Sequence, residues 1–410
     1  MKKIRNLLLT AALFFALGTT TFANGLSLNS IGTRALGMGG AFVGLANDAT
    51  ALYWNPAGLA KLQNSILVFG TDVMPSATYK MDMANIDAAT NTKHYISPNV
   101  FFNYSFGDLA VGLGVYVPAG LGTDWNSADF GYPAGFDFMS QIAVFNISPG
   151  IAYQITDAFS VGLAINIYYG MFDLSQPIIA GTNVVQFEES STGTGFGATI
   201  GLKYDFSEMF SAGVTFRTKT TVSMSGTAKN PAFAGYGFAT ESDFDRDVTW
   251  PMWIAGGIAV HPTEKFTITF DAQYSQWSEL DKLVATYKDA NWEATMAQTG
   301  GNTFEMKWED ATQIRLGLEY LVSKSFALRG GYYYDPAPAP DETVNVLFPS
   351  STNNVVTFGL GWMNGNLKIE GAMEYLFGAT REIAMVPENA MPGTHQMDVM
   401  AFSLGFSYGL

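Results

Sequence analysis

A period of two runs through most of this chain. In 109–117, Leu109, Val111, Leu113, Val115 and Val117 take one face, and Ala110, Gly112, Gly114 and Tyr116 take the other. In 265–274, Phe266, Ile268, Phe270, Ala272 and Tyr274 alternate with Lys265, Thr267, Thr269, Asp271 and Gln273. The last residues repeat the pattern, with Met400, Phe402, Leu404, Phe406, Tyr408 and Leu410 against Ala401, Ser403, Gly405, Ser407 and Gly409. Successive side chains of a strand point to opposite faces, so these segments are strands with one apolar face. They predict strands at 65–75, 93–106, 109–118, 138–154, 158–173, 192–206, 209–222, 249–261, 264–276, 304–320, 325–335, 353–363, 366–377 and 397–410.

A soluble sandwich would alternate too, so the turns decide. Short turns fall at Gly107-Asp108, Thr156-Asp157, Ser207-Glu208, Pro262-Thr263, Ser323-Lys324 and Asn364-Gly365, and seven long loops lie between them. An even strand count, with short turns on one rim and long loops on the other, marks an outer-membrane barrel. Composition agrees. Charged residues make up 14% of the chain, against roughly 25% in a soluble globular protein. The expected fold is an all-β transmembrane barrel of about fourteen antiparallel strands, with seven long extracellular loops.

Other classes are excluded by what the chain lacks. A net charge of -15, with no basic cluster beyond the first five residues, leaves nothing to hold nucleic acid. The absence of Cys excludes disulfides and thiolate metal sites. His94, His261 and His395 are scattered, so no metal or cofactor site and no Ser-His-Asp set is expected, and the chain reads as no enzyme. Lys2, Lys3 and Arg5, the apolar stretch from Leu7 to Leu17, and Thr21-Phe22-Ala23 read as an export signal over residues 1–23. No later run approaches the roughly 18 apolar residues that a spanning helix needs.

Residues 24–64 do not alternate and are rich in Gly. A barrel this wide is not filled by its own side chains. Leu36, Met38, Phe42, Val43, Leu45, Leu52, Tyr53 and Trp54 are too apolar for a solvated tail. This segment is expected inside the lumen as a hatch, with residues 65–410 forming the barrel.

Several stretches resemble the FadL-type transporters of long-chain fatty acids and hydrophobic compounds in Gram-negative outer membranes. The start Asn24-Gly25-Leu26-Ser27-Leu28-Asn29, with Gly32 to Gly40, is similar to that family's hatch. Asn55-Pro56-Ala57, after Ala46-Asn47-Asp48-Ala49, matches its Asn-Pro-Ala element. Ile147 to Tyr153 with Phe159 to Leu163 resembles its mid-chain hairpin. Leu328 to Asp335 with the Pro-rich run 336–340 resembles its late hairpin, and Trp277-Ser278 also fits. The C-terminal strand resembles the signal read by the barrel assembly machinery, although it ends in Leu410 rather than Phe. The resemblance implies a plugged barrel in outer-membrane lipid. It also implies capture of an apolar ligand, a fatty acid or hydrocarbon, among the loops, and a binding site in the lumen. Release is implied to be hatch-gated, through a gap in the wall at a kinked third strand. It further implies that Leu26 and Leu28 touch ligand. Some barrels of this type instead serve as partners in type IX protein secretion, which is the alternative function.

The residues add their own candidates. Ile178, Ile179, Phe233, Tyr236 and Phe238 are apolar residues placed in long loops, fit either for capture or for packing over the barrel mouth. Alternation turns Lys203, Arg217, Lys219, Arg315, Arg329 and Lys368 inward, together with Asp271, Glu319, Glu370 and Glu374. Most read as a neutralising network. Arg217 and Lys219 have no acid in their own strand and are the head-group candidates. Gly112 and Gly114, beside Asn55-Pro56-Ala57, admit either a tightly packed plug or an opening in the wall, since Gly in a strand marks a bend or a close approach.

Overall fold

The computed structural model describes residues 25–410, and the export signal expected over 1–23 lies outside them. Fourteen antiparallel strands close one barrel. They are β1 (Ser65–Met81), β2 (Tyr95–Phe106), β3 (Leu109–Asn126), β4 (Asp137–Gln154), β5 (Phe159–Ala180), β6 (Asn183–Ser207), β7 (Phe210–Arg217 continued by Thr220–Lys229) and β8 (Glu241–Trp250 continued by Trp253–Thr263). The circuit continues with β9 (Phe266–Ser275), β10 (Ala311–Leu321), β11 (Phe326–Asp335), β12 (Asn353–Asn364), β13 (Leu367–Gly378) and β14 (Gly393–Gly409). β14 returns to β1 in register from Ser65↔Gly409 to Lys80↔Thr394. Closure gives every strand two neighbours, which pair its backbone along most of the bilayer.

The alternation sorts the two faces. Ile66, Val68, Phe406 and Tyr408 are exposed on the outer face of the β1–β14 pair, while Leu67 and Phe69 are buried. Exposed Tyr104, Tyr153, Tyr204 and Tyr320 lie toward the short turns, and exposed Tyr169, Tyr332 and Phe377 toward the other rim. Two such belts flanking an apolar band are the girdles of a membrane barrel.

Three sequence expectations are corrected. Several strands run further than the alternation suggests, and the long loop expected between β5 and β6 is the two-residue turn Gly181-Thr182. Leu174, Pro177, Ile178 and Ile179 are therefore strand residues, with Ile178↔Val185 and Ile179↔Val184 paired. Outside the bilayer no lipid enforces an apolar face, so the period fades although the ladder continues. Second, residues 303–305 pair with residues 282–284 rather than opening β10, which starts at Ala311. Third, the tight turn between β12 and β13 is Gly365-Asn366, one residue later than Asn364-Gly365, with Gly365 at φ 59°.

Residues 25–62 pack against inward-facing residues of the wall. They form α1 (Thr33–Gly37), α2 (Ala51–Trp54) and a 3-10 turn at Pro56–Lys61. Leu36, Met38, Phe42, Val43, Leu52 and Trp54 are buried. Wall side chains tie the segment on several sides. Glu319 of β10 pairs with Arg34 at 2.7 Å, Asp271 of β9 accepts from Val43 N at 2.7 Å, and Thr357 of β12 accepts from Gly39 N at 3.0 Å. Ser160 of β5 donates to Ala57 O at 3.0 Å. Over the other mouth lies an apolar dome built on buried Trp125, Phe172, Phe187, Phe244, Trp292 and Phe348.

Candidate functional site

The Asn55-Pro56-Ala57 turn sits in a socket of wall glycines. Asn55 is fully buried; its Oδ1 accepts from Ala57 N at 3.2 Å and its Nδ2 donates to Leu202 O at 3.0 Å. A Cβ at Gly162 would strike Pro56 and Ala57, one at Gly201 would strike Asn55, and one at Gly213 would come within 2.5 Å of Asn55 Nδ2. Three neighbouring strands thus offer bare backbone to the turn. Replacing Gly201 with Leu is expected to expel it while the β6 ladder holds. Bilayer conductance should rise several-fold, with the heat-modifiable gel mobility of a folded barrel retained. Unchanged conductance in the folded variant would show that the turn does not close the lumen.

On the neighbouring wall, β2 and β3 part company. They pair from Phe106↔Leu109 up to Val100↔Val115 and no further. Above that point β3 bulges, its pairing with β4 jumping from Tyr116↔Asn146 to Ala119↔Val144. A bulge bends its strand, and Pro118 within it supplies no N–H. Val117 N turns instead to Asn99 Oδ1 at 3.0 Å. The freed inner edge of β3 is taken by the start of the described chain. Leu28 N donates to Pro118 O at 2.9 Å and Gly120 N donates to Leu26 O at 3.0 Å, with Ser27 facing Ala119 in an antiparallel bridge. Above the gap, Thr90 bridges to Trp125 and Asn91 N donates to Asp124 O at 2.7 Å. Tyr95 lies across the gap against Gly122, where any Cβ would strike its ring.

A cavity of about 410 Å³ occupies this region. Leu28 and Leu36 of the N-terminal segment, Val117 of the bulge and inward Ile142, Leu376 and Val399 line it, and so do Ile96, Ala143, Phe145 and Met171 of the outer face. Ile96 is 72% exposed. The cavity is thus lined from both faces of one wall.

The sequence-predicted residues divide accordingly. Leu28 lines the cavity, and Leu26 is fully buried beside it on the same short strand. Gly112 and Gly114 lie below the gap and face Leu52, Leu59 and Phe101. Arg217 points inward and is 5% exposed. It ends a polar chain across β3 to β7, in which Asn146 bonds Tyr116 and Asn166, Asn166 bonds Thr199, and Arg217 Nε donates to Thr199 at 3.1 Å. Its Nη2 donates to Tyr53 O at 2.9 Å, and its guanidinium lies 4.3 Å from the Tyr53 ring and 4.7 Å from Trp253. Among the described residues no carboxylate pairs with it within 4.0 Å. Lys219 does not join Arg217. The ladder breaks at Thr218-Lys219 and reverses the phase, so Lys219 is exposed and pairs with Glu279 at 2.9 Å. Lys368 is also exposed, and Lys203 pairs with Asp205 at 2.6 Å near the short-turn rim. The five loop candidates are split. Phe233 is buried on Trp292, with ring centroids 4.6 Å apart, and Ile178 and Phe238 are half-buried against the same dome. Ile179 and Tyr236 are exposed. Tyr95, Leu121 and Gly122, and the glycine socket, are what the sequence reading missed.

Comparison with known proteins agrees with this architecture. A family model described as outer membrane protein transport protein (OMPP1/FadL/TodX) matches residues 14–409. Outer membrane protein P1 of Haemophilus influenzae is 23% identical over 436 residues, spanning 92% of this chain and 91% of that protein. The 47 kDa outer membrane protein of Pasteurella multocida is 25% identical, spanning 99% and 98%. A solved FadL homologue of Pseudomonas aeruginosa superposes with a TM-score of 0.80 at 16% identity, covering 94% of this chain and 99% of that one. The toluene transporter TodX of Pseudomonas putida gives 0.74 at 17% identity, covering 93% and 99%. With its barrel and a family match over nearly its whole length, this chain belongs to the OMPP1/FadL/TodX family of outer-membrane transport proteins.

Proposed function

We propose that the chain carries hydrophobic small molecules across the outer membrane. The cavity is the binding chamber, and the gap between β2 and β3 is the way from the lumen into the bilayer. The observation that carries this reading is the cavity's lining from both faces of one wall. Apolar lining with a few placed polar groups suits a small apolar ligand. An aromatic hydrocarbon, such as the cargo named for the solved toluene transporter, asks for the same lining. Residues 25–62 act as the hatch, and the segment at 26–28 is its moving part, because it occupies the β3 edge at the level of the bulge.

Arg217 favours a second cargo, a long-chain fatty acid. It is a buried cation without a carboxylate, and it lines a small cavity that shares Ser27 with the chamber. Lifting the 26–28 strand joins the two spaces, so a chain lying in the chamber reaches Arg217 with its head.

Uptake measurements on two variants test both readings. Leu121→Trp fills the chamber and is expected to cut uptake of toluene and of oleate at least fivefold. Normal uptake in the folded variant would remove the chamber from the path. Arg217→Ala removes charge-assisted hydrogen bonds that contribute roughly 1.5–3 kcal/mol. It should weaken oleate binding about ten- to a hundredfold and leave an uncharged hydrocarbon of equal length unaffected. Equal loss for both ligands would make Arg217 a support for Tyr53 only.

A further inference from the structure

The chamber's polar lining sets two carboxyl groups, Glu374 and Asp335, beside the hydroxyls of Ser30, Ser350 and Ser351. Glu374 of β13 lines it, is 5% exposed, and its Oε2 has no hydrogen-bond partner. Tyr333 lies beside it, its buried hydroxyl directed at the Glu374 carboxyl without closing a full hydrogen bond. Arg315 lies beyond that ring, 4.4 Å from its centroid, and its own bonds go to Gly39 O and Gln313. Further along the wall, Asn353 is 6% exposed and its Oδ1 has no partner. Asp335 adds a second carboxylate, which accepts from Asn29 and Gln313. Among the described lining residues, His94 is the single side chain able to carry positive charge. It sits on the outer side, paired with Asp72 at 2.8 Å.

A buried carboxylate oxygen with no donor is costly, and a ligand that supplies the donor recovers that cost. A plain hydrocarbon adds no donor to Glu374 Oε2, and a carboxylate head faces the two carboxyl groups of Glu374 and Asp335. An ammonium head offers three donors and no acceptor. Resting on the reading of this cavity as the binding chamber, we infer that the chamber takes an apolar chain headed by an ammonium group, with Glu374 as the head's seat and the Val399, Leu376 and Leu121 side as the tail's. A carboxylate reaches Arg217 only after the 26–28 strand has moved. The ammonium finds its partner with that strand in place.

The test is binding of decylamine, decanol, decane and decanoate to the purified detergent-solubilised barrel at neutral pH, in wild type and Glu374→Gln. Calorimetry gives the affinity, and retained heat-modifiable mobility confirms folding of the isosteric variant. Wild type should bind decylamine at least tenfold more tightly than decanoate, and Glu374→Gln should bring the two within about threefold while leaving decane unchanged. Decanoate binding as tightly as decylamine in wild type, or a preference that survives Glu374→Gln, would overturn the inference. If decane and decylamine bind equally, and both are displaced by Leu121→Trp, the head-group assignment fails and the chamber stands. If none of the four binds, the chamber reading itself fails.

Discussion

Oxidation of a Ser27→Cys/Ala119→Cys double variant is expected to stop uptake of a hydrophobic substrate by more than tenfold, and reduction to restore it. The two residues face each other in an isolated antiparallel bridge. Facing residues in such pairs stand roughly 4.5–5.5 Å apart at Cα, inside the range of a disulfide. The chain has no cysteine of its own, so no other intramolecular crosslink competes. Two flanking backbone hydrogen bonds, Leu28 N to Pro118 O and Gly120 N to Leu26 O, hold the strand. At about 1 kcal/mol net each, they allow the strand to leave β3 and return. A covalent bond at the same point leaves the barrel and chamber intact and removes only that movement. Each single cysteine variant should transport normally in oxidant. Full uptake by the oxidised double variant would show that ligand leaves without displacing the strand.

The parts legible in the sequence are those that lipid enforces. Where β1 and β14 cross the bilayer, Ile66, Val68, Phe406 and Tyr408 must be apolar outside, and the period of two appears. Above the bilayer that demand ends, and the β5–β6 hairpin past Leu174 reads as loop although Ile178 and Ile179 are paired. Lys219 was misplaced for a related reason. Counting by twos from Arg217 presumes an unbroken ladder, and the break at Thr218-Lys219 shifts every later residue by one. A signal was present, since apolar Val222 and Met224 then fall on the inner face where they are buried. The glycine socket also left a trace, as Gly162, Gly201 and Gly213 all occupy inward positions on neighbouring strands. The gap between β2 and β3 was visible only as Pro118. It is made by pairing that does not occur, and by a segment some ninety residues away filling the vacancy on β3, which no local pattern encodes.

Glu319→Ala is expected to free the hatch while the barrel remains inserted. Glu319 sits between two guanidiniums. Its Oε1 takes Arg34 Nη2 at 2.7 Å, and its Oε2 takes Arg34 Nε at 2.8 Å and Arg329 Nε at 2.6 Å. Arg329 keeps a second carboxylate, Glu370, at 2.8 Å. Arg34 has no other ion pair among the described residues, and only Asn47 remains as a side-chain acceptor, at 2.6 Å. The loss therefore falls on Arg34 of α1 rather than on the wall. Removing one partner of a buried pair costs about 3–5 kcal/mol, because the other charge stays desolvated. The β10 ladder does not depend on that side chain, so the cost is relieved by undocking the hatch, which returns Arg34 to water. Planar-bilayer conductance should rise strongly, and protease added from the short-turn side should cut within residues 25–62. Glu370→Gln makes the contrast. It weakens a wall-to-wall pair, so it should lower the temperature of heat modification without raising conductance. An Arg34→Ala/Glu319→Ala double variant should conduct no more than Glu319→Ala alone, since both changes break one tie. If Glu319→Ala proves as tight as wild type, the hatch is held by its glycine socket and the Asp271–Val43 bond instead, and this carboxylate serves the wall.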